Sequence, residues 1–128
     1  MPSPSPQKSF HREDVEGVCT ILVTRHHLEP EISDELYTLA TEAVAGGTTQ
    51  VVLNLIHVET MKSATIAILL NLQKRVRADG GRLKLCRVRP DALRLLQIAH
   101  ADSLFEIHPT QREAVAAFLG RLEPEPEK

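Results

Sequence analysis

The segment from residue 50 to residue 88 restricts the fold of this chain more than any other. An apolar run at 51–56 leads into a polar junction at 59–65, an apolar helical stretch at 66–78 and a second apolar run at 83–88. This pattern predicts a strand, a helix and a second strand, connected as a right-handed crossover between parallel strands. The polar junction before the helix lies where sheets of this kind present binding or catalytic groups.

The rest of the chain supplies further strands and helices around this unit. Strands are predicted at 9–12, 18–24 and 104–107, and further helices at 30–45, 91–99 and about 111–122. The first two strands form an antiparallel hairpin, and the alternation along the second turns Cys19, Ile21 and Val23 toward the core. Thr110 and Glu113 form a capping box, which marks the start of the last helix. The predicted order is β-β-α-β-α-β-α-β-α, an α/β fold with a mixed sheet of four to five strands packed against about four helices.

Composition separates one folded domain from two polar ends. A chain of 128 residues with 42% hydrophobic and 25% charged residues suits a single globular domain. Residues 1–9 are rich in Pro and Ser, and residues 123–128 are acidic and interrupted by Pro, so both ends are predicted to be disordered. The folded domain is expected to span residues 10–122.

Cysteine usage and hydropathy favour the cytoplasm. Cys19 and Cys86 lie in apolar runs and do not form a metal-binding pair, so we expect two reduced thiols in the core. Reduced thiols are typical of cytosolic proteins. No run of about 18 apolar residues predicts a membrane helix, and the N-terminus has no secretory signal pattern. We therefore expect a cytoplasmic protein without a membrane-spanning segment.

Charge is distributed unevenly along the chain, although the net charge is only −2. Residues 1–61 carry three basic and nine acidic side chains, whereas residues 62–128 carry twelve basic and eight acidic ones. The basic excess lies at 62–94 and could attract an acidic partner. Nucleic-acid binding is disfavoured, because aromatic residues make up only 3% of the chain and no recognition motif is present.

The sequence contains no recognisable catalytic, metal or cofactor motif. The spacings of its six histidines match no metal-ligand pattern. Gly46-Gly47 and Gly80-Gly81 are better interpreted as helix ends than as phosphate-binding loops. Ser63 has no identifiable His or Asp partner in the sequence, although catalytic triads assemble in space. We therefore predict a protein that is not an enzyme and that uses neither a metal nor a cofactor.

Several short stretches follow one another in the order of a known family. They are Leu28-Glu29, Val52-Leu53-Asn54-Leu55, Met61-Lys62-Ser63-Ala64-Thr65, Gly80-Gly81-Arg82-Leu83 and Ala101-Asp102-Ser103-Leu104-Phe105-Glu106-Ile107. Together with the predicted element order, they resemble the STAS domain of bacterial anti-sigma-factor antagonists over about residues 10–120. The family pattern has Asp where this chain has Asn54, and Asp-Ser-Ser-Gly where this chain has residues 62–65.

The resemblance implies a protein that switches between protein partners. In the family, a partner anti-sigma kinase phosphorylates the first Ser of the signature, and Ser63 stands at that position. The implied partners are an anti-sigma factor or a serine kinase of the ATPase-kinase type, with control of transcription as the result. A homodimer is left open as the oligomeric state. The residues expected to contact the partner are Glu59, Thr60, Lys62, Ser63, Ala64 and Thr65.

Ser63 has two interpretations, and its neighbours depart from the family signature. Lys62 replaces an acidic residue, which reverses the charge, and Thr65 replaces a glycine. As the N-cap of the helix, Ser63 would satisfy an unpaired N–H group of the first turn. As a phosphoacceptor, it would carry a charge of about −1.5 to −2 beside the positive end of the helix.

A second hypothesis keeps the fold without the phosphorylation switch. The chain would then act as a binding scaffold, or as a subunit that senses a ligand near Asn54, His57 and the 59–65 loop. Its basis is the loss of the acidic and glycine positions of the signature.

Overall fold

A five-stranded mixed sheet lies at the centre of the computed structural model, which describes residues 9–120. The strands and helices are β1 Phe10–Val15, β2 Val18–Val23, β3 His27–Leu28, α1 Pro30–Ala45, β4 Gln50–Asn54, β5 Thr60–Met61, α2 Ser63–Ala78, β6 Arg82–Cys86, α3 Pro90–Ile98, β7 Glu106–His108 and α4 Gln111–Phe118. The sheet order is β1-β2-β4-β6-β7, with β1 antiparallel to β2 and the other neighbours parallel. The predicted α/β class, mixed sheet and four helices are confirmed.

The predicted crossover at the centre of the chain is confirmed. β4 and β6 are parallel neighbours joined through α2, with Val51 opposite Leu83 and Leu53 opposite Leu85. These side chains are at most 5% exposed. Val52, which points to the opposite face of β4, is also fully buried. Because both faces of β4 are covered, its sequence is apolar on both sides instead of alternating.

A second, smaller sheet was not predicted. β3 and β5 have two residues each and pair in parallel, with His27 opposite Thr60 and Leu28 opposite Met61. Strands of two residues are too short to produce an alternating sequence pattern. This sheet joins the segment after β2 to the polar junction before α2.

The first hairpin is longer than predicted. β1 continues to Val15 instead of ending near residue 12, and the turn consists of Glu16 and Gly17 alone. Both turn residues have positive φ, 52° and 85°, as a two-residue hairpin loop requires. The exposed polar side chains at 11–14 suit a solvent-facing edge strand.

The predicted N-terminal lead and acidic tail lie outside the described residues except for Ser9. Its carbonyl oxygen accepts the N–H of Thr24 at 2.9 Å, and its hydroxyl oxygen accepts Arg25 Nε at 3.0 Å. Ser9 is 7% exposed. It therefore extends the hairpin by one residue, while the domain boundaries themselves stay a prediction.

Alternating side chains give the sheet two apolar faces. Cys19, Ile21 and Val23 lie in the larger core with side chains of α1, α2 and α3, as predicted. The opposite face is covered by α4 through a smaller cluster. This cluster consists of Val18, Val52, Cys86, Ala114 and Val115. The two cysteines therefore lie on opposite faces of the sheet, and both are free thiols.

Local signals set most helix ends correctly. α1 covers its predicted range, with Pro30 in the first turn, where its missing N–H is not needed. The capping box is confirmed at Thr110, whose hydroxyl oxygen accepts the N–H of Glu113 at 3.1 Å. α4 ends at Phe118, earlier than predicted, and Leu122 lies outside the described residues.

Candidate functional site

The polar junction is anchored to the segment that follows β2. The backbone N–H groups of Glu59 and Thr60 both donate to the carbonyl oxygen of His26, at 2.7 and 3.2 Å. Val58, just before them, is fully buried, and Met61 at the end of β5 is 6% exposed. The loop that leads into α2 is therefore a fixed part of the fold and not a free connection.

Two adjacent histidines pair with two adjacent residues of the junction. His26 Nδ1 lies 2.9 Å from Glu59 Oε2, and His27 Nδ1 lies 2.7 Å from Thr60 Oγ1. The hydrogen bond with His26 lowers the pKa of the Glu59 carboxyl group, and the charge of Arg89 lowers it further. Glu59 and Thr60, both predicted to contact a partner protein, thus already have partners within the chain.

Ser63 does not cap α2, contrary to the N-cap interpretation. Lys62 occupies the N-cap position with an extended backbone, φ −92° and ψ 167°, and Ser63 is the first helical residue. The carbonyl oxygen of Lys62 accepts the N–H of Ile66 at 3.1 Å. The Ser63 side chain is exposed, and its hydroxyl group makes no hydrogen bond to any residue in the range 9–120. Sequence patterns locate helix ends only to within one or two residues, so they could not decide whether Lys62 or Ser63 is the N-cap residue.

Thr65 is the buried member of the signature. It is 0% exposed, and its hydroxyl group donates to the carbonyl oxygen of Leu28 at 2.7 Å. This bond ties the first turn of α2 to β3. A contact between Thr65 and a partner would therefore require the first turn to open, whereas Lys62, Ser63 and Ala64 are exposed as the structure stands.

Lys62 pairs with the acidic residue that precedes α1. Lys62 Nζ lies 3.6 Å from Glu29 Oε1, and the two side chains are 71% and 47% exposed. Ion pairs this exposed contribute between zero and about 1 kcal/mol. Glu29 is the N-cap residue of α1 and Lys62 that of α2, so the pair joins the starts of two helices.

Asn54 and His57 differ in their access to a ligand. The amide of Asn54 donates to Gln111 Oε1 at 3.1 Å and accepts the N–H of Ile56 at 3.0 Å. A ligand at Asn54 would replace these bonds. His57 is exposed, and its ring centroid lies 6.4 Å from that of His26. The ligand site at these two residues stays a prediction, and His57 is the residue whose side chain is exposed to a ligand.

Two large apolar side chains beyond the junction are exposed, and neither was predicted as a site. Ile98 is 68% and Leu104 is 55% exposed. Leu104 lies in a short 3₁₀ turn, Asp102–Leu104, and not in the predicted strand, and its carbonyl oxygen accepts Gln73 Nε2 of α2 at 2.6 Å. Helix geometry could have predicted the exposure of Ile98. Successive residues of an α-helix are about 100° apart around its axis, so Ile98 lies about 200° from the buried Leu96.

The described part of the chain offers neither a metal site nor a membrane helix. Within residues 9–120, no three or more His, Cys, Asp or Glu side chains are grouped so that they could hold a metal ion. No helix in this part of the chain is long and apolar enough to cross a membrane.

Comparison with known proteins agrees with this architecture. The chain is similar to an anti-sigma-factor antagonist (STAS) domain protein from Planctomyces limnophilus, with 24% identity, a TM-score of 0.75, and coverage of 86% of this chain and 97% of that chain. An anti-sigma factor antagonist from Mycobacterium paratuberculosis gives 22% identity and a TM-score of 0.72, covering 84% and 91%. At these identities the likeness shows the fold.

The anti-sigma factor antagonist SpoIIAA of Bacillus is similar in two forms. The unphosphorylated form gives 19% identity and a TM-score of 0.73, covering 87% of this chain and 96% of that chain. The phosphorylated form gives 18% identity and a TM-score of 0.64, covering 85% and 98%. The family model for the STAS domain matches residues 12–114. Since this range is most of the 128 residues, the chain belongs to the STAS domain family.

Proposed function

We propose that this protein is an interaction module of a bacterial partner-switching system, similar in role to an anti-sigma-factor antagonist. It binds an anti-sigma factor or a serine kinase of the ATPase-kinase type, regulates transcription in the cytoplasm and catalyses no reaction itself. Phosphorylation of Ser63 controls this binding. The observation that carries the proposal is the position of Ser63 at the start of α2, exposed and without a hydrogen bond to any described residue.

The hydroxyl groups of the junction differ in their availability to a kinase. The Thr65 hydroxyl is buried and donates to Leu28, and the Thr60 hydroxyl lies 2.7 Å from His27 Nδ1. Ser63 therefore offers the hydroxyl group that is both exposed and uncommitted. A kinase would transfer the γ-phosphoryl group of ATP to Ser63 Oγ, releasing ADP, while the hydroxyl proton passes to a base of the kinase.

A phosphate on Ser63 would change the charge of an exposed surface without entering the core. It adds a charge of about −1.5 to −2 at neutral pH. It would lie at the N-terminus of α2, where unpaired N–H groups and the helix dipole favour an anion. The first turn of α2 contains no acidic residue that would repel it. Partner binding, more than stability, is therefore the property expected to change.

Exposed side chains along α2 supply a surface on which a partner can dock. Ser63 and Ala64 are exposed at one end of the helix, and the exposed Leu104 is bonded to Gln73 nearer the other end. Gln73, which bonds to Leu104, is ten residues from Ser63, a distance of about 15 Å along a helix. Protein interfaces commonly combine an apolar centre with a polar rim, and exposed apolar side chains together with the polar start of α2 fit this description. The similarity to SpoIIAA, which is known in both phosphorylation states, supports a switch in this fold.

The test combines phosphosite mapping with binding to purified candidate kinases. Wild type, Ser63→Ala and Ser63→Asp are each mixed with the ATPase-kinase-type serine kinases encoded in the source genome, with and without ATP. We expect phosphate on Ser63 of the wild type, and a loss of binding of about tenfold or more after phosphorylation or in Ser63→Asp. Ser63→Ala should bind like the unphosphorylated wild type and stay bound when ATP is added.

Thr60→Ala is the matched control. Thr60 is also exposed and lies three residues before Ser63, but its hydroxyl group is paired with His27. This variant should be phosphorylated on Ser63 like the wild type, so any change in its partner binding reports on the Thr60 contact and not on phosphorylation. Equal binding by all variants, together with no phosphate on Ser63 in cells or with purified kinases, would contradict the proposal.

A scaffold without phosphorylation is the second candidate, and the charge of Lys62 favours it. A kinase that recognises the acidic signature would meet the opposite charge at this position. In this case Lys62 docks an acidic partner constitutively, or a ligand near Asn54 and His57 controls binding. An unmodified mass in cells, with partner binding that Lys62→Glu abolishes, would support the scaffold. A homodimer suits either role, and analytical ultracentrifugation measures it.

A further inference from the structure

We propose that Lys62 exchanges its ion-pair partner when Ser63 is phosphorylated, leaving Glu29 for the phosphate. The inference rests on the phosphorylation of Ser63 proposed above and concerns how the junction responds to it. In the unmodified protein, Lys62 and Glu29 neutralise each other. In the phosphorylated protein, Lys62 neutralises part of the phosphate charge, and Glu29 is released to solvent.

The existing pair is weak enough to be replaced. Lys62 Nζ and Glu29 Oε1 are 3.6 Å apart, with side chains 71% and 47% exposed. Solvent and salt screen such a pair, and holding two long side chains together costs conformational entropy. Within residues 9–120, neither charged group has another ion-pair or hydrogen-bond partner. No other contact therefore resists the exchange.

A phosphate on Ser63 would be the stronger partner for Lys62. Ser63 is the next residue, and the backbone at both positions is held by the start of α2. The phosphate carries up to about twice the charge of a carboxylate and has three strong acceptor oxygens. The other ionisable groups of the junction are already engaged, since His26 pairs with Glu59, and Arg89 lies near Glu59 and donates to the backbone. Lys62 is therefore the cation most free to move.

Glu29 would remain close to the phosphate after it loses Lys62. The bond from the Thr65 hydroxyl to the Leu28 carbonyl oxygen holds the residue before Glu29 against α2, whatever the Glu29 side chain contacts. The docking surface would then present a phosphate and a free carboxylate, and its lysine would be occupied. A partner whose acidic group contacts Lys62 in the unmodified protein would lose this ion pair. The same acidic group would then be repelled by the phosphate on Ser63 and by the Glu29 carboxylate.

A ³¹P NMR titration of phosphoserine at position 63 tests the exchange directly. Phosphoserine is incorporated at this position of the full chain during translation, so no kinase is required. We expect Lys62→Met to raise the titration midpoint of the phosphate by about half a pH unit, because a nearby ammonium group stabilises the dianion. Glu29→Gln should lower the midpoint, because the carboxylate no longer competes for Lys62.

Lys74→Met and Glu42→Gln are the matched controls, since both are exposed charges that lie about 18 Å or more along α2 and α1 from Lys62 and Glu29. Each should leave the midpoint within about a tenth of a pH unit, because screening weakens distant charges. Identical midpoints in wild type, Lys62→Met and Glu29→Gln would overturn the exchange, even if Ser63 is phosphorylated in cells. An absence of phosphate on Ser63 in cells would instead overturn the proposed function, and the two failures are therefore distinguishable.

Discussion

Within residues 9–120, three residues other than glycine adopt left-handed backbone conformations. They are Glu16, Arg87 and His100, with φ of 52°, 55° and 59°. A Cβ atom makes this conformation about 1–2 kcal/mol less favourable than it is for glycine. His100 is therefore a residue whose local backbone conformation conflicts with its residue type.

His100 ends α3 with the hydrogen bonds of a glycine-type helix end. Its N–H donates to the carbonyl oxygen of Gln97 at 3.0 Å, and the N–H of Ala101 donates to that of Leu96 at 2.8 Å. We expect His100→Gly to raise the free energy of unfolding by about 1 kcal/mol in urea denaturation. Gln97→Gly, an exposed position inside the helix, should lower it by a similar amount. Changes of the same sign would contradict this explanation.

Lys84 is a nearly buried cation that depends on an acidic neighbour. It is 8% exposed, its Nζ donates to the Glu106 carboxylate, and it lies 4.5 Å from the centroid of the Phe118 ring. His108 Nε2 lies 2.8 Å from the same carboxylate. Burial raises the pKa of the Glu106 carboxyl group, but the hydrogen bonds and charges of Lys84 and His108 together lower it by more, so this pKa lies below its ordinary value of 4.5.

Glu106→Gln should lower the free energy of unfolding by about 1 kcal/mol at neutral pH. Lys84 loses its charged partner, while the 51% exposure of the Glu106 side chain limits the effect through solvent screening. Because the folded pKa lies below the unfolded one, the stabilisation is present above about pH 4.5 and is lost as the pH falls through the folded value. Urea denaturation across this range should show the two proteins converge in acid. A difference that stays constant as the pH falls below 4.5 would contradict the assignment. Glu42→Gln, which removes an exposed acid on α1, is the control.

Among the elements, the passage from α2 to β6 depends on close backbone contact at Gly81. A Cβ atom at this position would lie 2.2 Å from the carbonyl oxygen of Thr49 and 3.0 Å from Val76 Cγ1. The N–H of Gly81 also donates to the carbonyl oxygen of Val76 at 2.8 Å. The glycine that ends the crossover helix therefore also lets β6 reach its place beside β4.

Gly81→Ala should lower the free energy of unfolding by about 2 kcal/mol or more, because the backbone of Thr49 must shift. Gly46→Ala is the matched control, since its Cβ would meet its nearest atom, the Glu42 carbonyl oxygen, at 3.4 Å. We expect the control to change stability by less than about 0.5 kcal/mol. Equal losses in the two variants, measured by urea denaturation, would show that the close approach at Gly81 is not the cause.

Over the whole molecule, the two cysteines report on opposite faces of the sheet. Cys19 lies in the larger core and Cys86 in the smaller cluster beneath α4, and both are 0% exposed. Burial raises the pKa of Cys19 to about 11 and that of Cys86 to about 12. Because the thiolate is the reactive form, both side chains are protected in the folded protein.

Iodoacetamide at about pH 8 should therefore modify neither cysteine in the folded protein. In a urea series both should become reactive over the same transition, since the two faces belong to one cooperative domain. Intact-mass analysis counts the modified thiols, and the unfolded chain is the positive control. Rapid modification of Cys86 alone in native buffer would show that α4 opens independently and would contradict this expectation.

Long periodic segments were predictable because their signals are local. α1 follows from Pro30 and the spacing of its apolar residues, and the capping box places α4 at Thr110. Short or edge elements were not predictable in the same way. β1 was too polar and β5 too short for a periodic pattern, although both are held by pairing with other strands. At the site, the exposure of Ser63 and the burial of Thr65 depend on that pairing as well.

By itself, the sequence determined the order of the helices and of the strands in the main sheet, the inward face of β2 and the place of Ser63 where the crossover helix begins. These features depend on residues a few positions apart. Only the tertiary structure decided what the junction contacts. His26 meets Glu59 across 33 positions of the chain, and Lys62 reaches Glu29 over a similar separation. No local pattern encodes such pairs, since they form only when the sheet and its crossover bring distant segments together.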